Sequence, residues 1–167
     1  MVIVPSDFDL YVKCSRAFKK ICASYTPVME SFSIDEVFLD MTGTSLLYPD
    51  PIAAAHEIKD RISDELGFTV NVGISTNKLL AKMASDFEKP NKVHTLFPEE
   101  IPAKMWPLPV RELLFLGKAS EKKLTEAGIR TIGDLAHAWE TDIQTLIGNK
   151  NGHQPVSYTH LRAHETP

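Results

Sequence analysis

Ser33-Ile34-Asp35-Glu36-Val37-Phe38-Leu39-Asp40-Met41 sets two adjacent carboxylates between a polar turn and an apolar run. Residues 32–41 read as a strand or a tight hairpin with the acids at its mouth. Desolvating such a pair is costly unless a cation or hydrogen-bond donors compensate. A hard divalent cation such as Mg²⁺ is the usual compensator, because it takes carboxylate oxygen and keeps room for phosphate ligands. Taken alone, the pair reads as a solvated turn. On an ideal strand neighbouring side chains point to opposite faces, so Asp35 and Glu36 can serve one centre only at a turn or bulge.

On the N-terminal side, Ser6-Asp7-Phe8-Asp9 has the form of a capping start. Phe8, Tyr11, Phe18, Ile21, Cys22 and Tyr25 then recur at helical spacing and predict a helix over about 7–24. Cys14 and Cys22, the only cysteines, fall on its apolar side and read as buried free thiols, not a disulfide or zinc site. On the C-terminal side, Gly43 and Tyr48-Pro49-Asp50-Pro51 break the chain. A helix over about 51–66 follows, with Ala55, Ile58, Ile62 and Leu66 on one face. Phe68, Val70, Val72 and Ile74 alternate with polar or small residues as a half-buried strand. A helix from Thr76 to Phe87 ends before Pro90, and Lys92–Phe97 reads as a short strand.

Pro98, Pro102, Pro107 and Pro109 mark a stiff connector and a domain boundary. Arg111–Leu116 and Glu121–Ala127 read as short helices, and Gly128 opens a turn into another. From Asn149 on there is no apolar period, so residues 149–167 read as a disordered tail. Its last thirteen residues resemble translated sequencing-adapter text and are set aside as an artefact. His160 and His164 have the spacing of a helical metal pair but lack a suitably placed third ligand.

The chain has 167 residues, 43% hydrophobic and 24% charged, an ordinary globular composition. No apolar run approaches membrane-spanning length, and the opening Met1-Val2-Ile3-Val4-Pro5 is too short for a signal core. Cytoplasmic location and no membrane partner are the expectations. The net charge is −4, yet residues 76–130 are net +3. A basic strip on an acidic body suits a protein that meets phosphate on one side, and equally many that meet none.

Three segments carry the chemistry together. They are Ser33-Ile34-Asp35-Glu36, then the strand-to-helix run Val72-Gly73-Ile74-Ser75-Thr76-Asn77-Lys78 ending in Lys89-Pro90-Asn91, then Leu116-Gly117-Lys118-Ala119-Ser120. In that order and spacing, over roughly residues 1–148, the chain resembles the Y-family translesion DNA polymerases. The resemblance implies an α+β fold. An incomplete polymerase palm, an antiparallel sheet with helices on one face, would span 1–97, followed by a Pro-rich connector at 98–110. A small all-α helix-hairpin-helix thumb would span 111–148.

By the same resemblance Asp35 and Glu36 are the catalytic and metal-binding carboxylates, holding Mg²⁺ as two ions in the complete enzyme. One ion would acidify a primer 3′-hydroxyl and the other would hold a deoxynucleoside triphosphate. Lys89 would contact that triphosphate; by itself it reads as an exposed charge at a helix end. Gly117, with Lys118 and Ser120, would let backbone N–H groups approach the phosphates of primer-template DNA without reading bases. Phe115 stands where the family's more common pattern has a glycine.

A further metal-binding aspartate, the fingers and the C-terminal domain of that family, with any sliding-clamp contact, find no counterpart in the sequence. The chain is therefore expected to be a fragment, nearly inactive alone. Asp7 and Asp9 sit in the wrong context to replace the aspartate. A non-catalytic DNA-binding accessory protein and a metal-dependent nuclease remain as alternatives.

Overall fold

A computed structural model describes residues 5–148. The chain divides into two compact units. Among the described residues, the first comprises 5–74 with 85–94, and the second 75–84 with 95–148. The expected boundary at residues 98–110 is thus displaced, and two short segments exchange between the units.

The first unit begins with α1, Phe8–Cys22. Asp7, not the expected Ser6, caps it, accepting from the Leu10 amide at 2.9 Å. The hairpin follows: β1, Met29–Ser31, pairs antiparallel with β2, Val37–Leu39, in the register Met29 with Leu39 and Ser31 with Val37. Helix α2 runs Pro51–Leu66, with the Asp50 carboxylate on the Ile52 and Ala53 amides and Pro51 in its first turn. It stops at Gly67, whose φ of 74° is the left-handed cap that glycine adopts without strain.

Phe18, Ile21, Cys22 and Tyr25 pack with Ile58 and Ile62 as the core of this unit, and Met29, Val37 and Leu39 cover one side of it. The helical periodicities of α1 and α2 are therefore what seat the hairpin. Strand β3 is only Val72–Ile74, shorter than the alternation from Phe68 predicts, and its sheet partner is β4, Val93–Thr95. Phe68 and Val70 still pack against the core. Burial alternates over Phe68, Thr69 and Val70, but residues 71–74 are all half-buried; strand pairing needs a neighbour, and β4 offers three residues.

Helix α3 covers Lys78–Ser85, and the Asn77 carboxamide accepts from the Leu80 amide at 2.9 Å, serving the helix start as expected. In the second unit the proline-rich stretch is not a connector. It holds a 3₁₀ turn at Pro98–Glu100 and α4 at Ile101–Lys104, with Ile101, Met105 and Val110 buried. The Val110 amide donates to Arg130 O, Ile132 to Leu108 O and Gly133 to Trp106 O, at 2.8 to 2.9 Å. Prolines sit there at helix starts and in irregular backbone, where a missing N–H costs nothing.

Gly133 lies close to Trp106: a Cβ at position 133 would stand 3.1 Å from Trp106 Cβ and 3.2 Å from its carbonyl oxygen. Helices α5, Lys118–Glu126, α6, Ile132–His137, and α7, Glu140–Ile147, complete the described chain. Leu124, Ile132, Leu135 and Ile143 are fully buried. The expected helix at Arg111–Leu116 is a 3₁₀ turn of three residues, Val110–Glu112. The chain turns extended at Leu113 and left-handed at Phe115 to enter α5, which ends any helix there. The tail, with His160 and His164, lies outside the described residues.

Candidate functional site

The acids occupy the tip of the β1–β2 hairpin, in a five-residue turn from Phe32 to Glu36. The amides of Phe32 and Ser33 both donate to Glu36 O, at 3.0 and 3.2 Å, and close the turn. The Phe32 ring meets Phe38 edge-on at 5.5 Å across the strands. This departure from strand geometry brings the carboxylates to one place. Ser33 Oγ lies 2.7 Å from Asp35 Oδ1 and 3.3 Å from Glu36 Oε2, so both converge on a single hydroxyl. That hydroxyl has one proton to share between two anions. Asp35 is exposed and Glu36 half-buried. Oxygen donors of this kind suit a hard divalent cation. Among the described residues no third His, Cys, Asp or Glu joins them as a candidate ligand cluster.

Two residues of α1 that the sequence did not single out hold this tip. Ser15, buried, donates its hydroxyl to Ile34 O, and Lys19 Nζ donates to Ser33 O at 2.8 Å. At the base, Thr26 Oγ1 donates to Asp40 O at 2.7 Å, and the Asp40 amide to Val28 O at 3.0 Å.

Lys89 is exposed beyond the end of α3, as its context implies, and it pairs with Asp86 at 2.7 Å. An exposed ion pair of this kind contributes little, so it yields readily to a more highly charged partner. Its loop is bracketed by Asn71, again unmarked in the sequence. The Asn71 amide nitrogen donates to Ser85 O at 3.1 Å and Glu88 O at 3.0 Å, and its oxygen accepts from the Lys92 amide at 3.0 Å.

In the second unit Gly117 is the N-cap residue of α5, and a Cβ there would meet nothing within 4 Å. The backbone at the start of α5 is thus open to a close neighbour. Lys118 is exposed and Ser120 half-buried beside it. Phe115 adopts φ 68° and is 66% exposed. It keeps the left-handed conformation that glycine favours and is not a core residue, at a cost in strain.

A carboxylate-tipped hairpin seated on two helices, followed by a helical unit with an open glycine cap, defines a class: the chain belongs to the impB/mucB/samB family, whose profile matches residues 1–86. The helix-hairpin-helix motif of the same family matches residues 98–129. Among curated proteins, DNA polymerase IV of Clostridium acetobutylicum is 51% identical over 136 residues, 81% of this chain and 34% of that protein. DNA polymerase IV 1 of Bacillus subtilis is 41% identical over 148 residues, 89% of this chain and 36% of that protein. The chain spans about a third of the length of these relatives.

Among solved structures, DinB from Sulfolobus solfataricus superimposes with a TM-score of 0.87 at 25% identity, over 97% of this chain and 48% of that one. The insertion ternary complex of Dbh DNA polymerase gives 0.85 at 25% identity, over 96% and 47% of the two chains. The matched chains are Y-family polymerases, and the mixed helix-and-sheet fold is theirs. Among the described residues no helix is long and apolar enough to cross a membrane.

Proposed function

We propose that this chain supplies the acidic-pair hairpin and the helix-hairpin-helix of a DNA-directed DNA polymerase. The enzyme adds deoxynucleotides to a primer 3′ end, in translesion synthesis and DNA repair. The observation that carries the reading is the convergence of Asp35 and Glu36 on Ser33 Oγ, at the position where the family resemblance puts its metal-binding acids. Divalent cations, Mg²⁺ in this reading, supply there a Lewis acid that lowers the pKa of the primer hydroxyl and offsets triphosphate charge.

The chain's own residues do the positioning. Asp35 and Glu36 present oxygen ligands from one turn. Lys89, leaving Asp86, meets the triphosphate as a point charge. Gly117, Lys118 and Ser120 hold the DNA backbone in place and read no bases. Phosphoryl transfer asks for this kind of in-line placement and charge neutralisation more than for covalent help.

The test is a chimera in which residues 1–148 replace the matching segment of the Bacillus subtilis relative. It is expected to extend a labelled primer on a template. Asp35→Ala is expected to reduce extension by at least about 100-fold, the loss of a charge-stabilising group at the reacting centre, while duplex binding persists. Extension that survives Asp35→Ala would leave a DNA-binding accessory role, and a shortened primer would indicate a nuclease.

A further inference from the structure

We infer that Ser15 and Lys19 of α1 are positioning residues for the Asp35–Glu36 pair. The inference rests on the reading of that pair as a metal centre. The turn from Phe32 to Glu36 is closed on itself by two amides that share Glu36 O. Those bonds give it a shape but do not set where it points. Its orientation comes from two donors on one face of α1, four residues apart. They grip consecutive carbonyls, Ser33 O from Lys19 and Ile34 O from Ser15, immediately before the acids.

A buried helical serine ordinarily satisfies its hydroxyl on its own helix, four residues back. Ser15 instead spends its proton on the hairpin. Lys19 spends a charge-assisted donor on a neutral carbonyl two residues from Asp35. Pinning two successive peptide groups removes the rocking freedom of the tip and leaves the acids a fixed direction. Outer partners that orient metal-binding groups act in this way.

The experiment uses the 167-residue chain, ¹⁵N-labelled, with Mn²⁺ as the probe. In the parent, Mn²⁺ is expected to broaden the amide signals of Asp35 and Glu36 first. Lys19→Met and Ser15→Ala are each expected to raise the Mn²⁺ concentration needed by on the order of tenfold. Both should also speed hydrogen exchange at the Phe32 and Ser33 amides, while the α1 amides remain protected. Lys19→Arg, which keeps the donor and the charge, should restore most of the affinity. Lys19 is only half-buried, so its variant carries the test should Ser15→Ala fail to fold. Parent broadening that persists unchanged at the same Mn²⁺ concentration in Lys19→Met would overturn the inference alone. Absence of broadening at positions 35 and 36 in the parent would overturn the metal reading, and the inference with it.

Discussion

Asn71 shows how a single carboxamide sets a loop, the one that carries Lys89. It uses both N–H donors and its oxygen on three backbone groups between Ser85 and Lys92. Asn71→Ala strips a partner from each of them, and the site is only half-buried, so water recovers part of the loss. The expected cost is about 1 kcal/mol, read as a lower urea midpoint with an unchanged slope. Asn71→Asp should not rescue it, because it keeps the acceptor but turns the nitrogen that carried both donors into an oxygen facing two carbonyls. Nothing in the sequence marks Asn71: it stands in a polar slot of an alternating stretch, and its partners are 14 to 21 residues away. Asp35 and Glu36 were legible because they are adjacent and their motif is local. Ser15 and Lys19 were not, because what gives them a role is a contact across the fold.

Helices account for most of what the pattern could reveal. The apolar faces of α1 and α2 were read from spacing, and α2 runs from Pro51 to Leu66 as expected. Within α1 the two thiols differ, against the expectation that both are buried: Cys14 is half-buried and Cys22 buried. Burial pushes the Cys22 thiol up to about 11. At pH 8 only about one Cys22 thiol in a thousand is then the reactive thiolate. A thiol reagent is expected to label one cysteine, Cys14, in the native chain and both in denaturant, as mass mapping of the labelled peptides would show.

At the start of α6 the Asp134 carboxylate accepts from the amides of Thr131 and Arg130 at 2.8 and 2.9 Å. Those bonds hold its pKa below the ordinary aspartate value. Glu100 is lowered likewise, by Lys104 and by the Phe97 amide. A carboxyl lowered by folding contributes stability that is full above its ordinary value and is lost as pH falls through the folded value. Urea midpoints should therefore begin to drop below about pH 4.5, where the unfolded chain starts to take up protons at Glu100, and at lower pH at Asp134, that the folded carboxylates still resist. Asp134→Asn, whose amide oxygen still accepts, should flatten part of that acid limb.

Across the chain as a whole, DNA binding through phosphate contacts is expected to weaken as salt rises. Lys118→Ala should weaken binding to a primer-template duplex at every sequence and reduce the slope of log affinity against log salt by about 1. Gly117→Ala should fold, since its Cβ meets open space and φ is −75°. It should nevertheless lose affinity, because the added methyl stands where a phosphate would approach the α5 amides. Fluorescence anisotropy at several salt concentrations checks both.

Local spacing was enough for α1, α2, α3, α5 and α6, for the adjacency of the two acids and for the order of the segments that mark the family, because periodicity, capping and adjacency are properties of neighbouring residues; it missed α4, α7 and the first hairpin strand at Met29–Ser31. Packing settled what spacing could not: the proline-rich stretch is built into the second unit, and residues 75–84 and 85–94 fall in different units. It alone decided that α1 holds the acidic tip through Ser15 and Lys19. Those outcomes depend on buried contacts and hydrogen bonds between residues far apart in the chain, and such pairings leave no trace in local spacing.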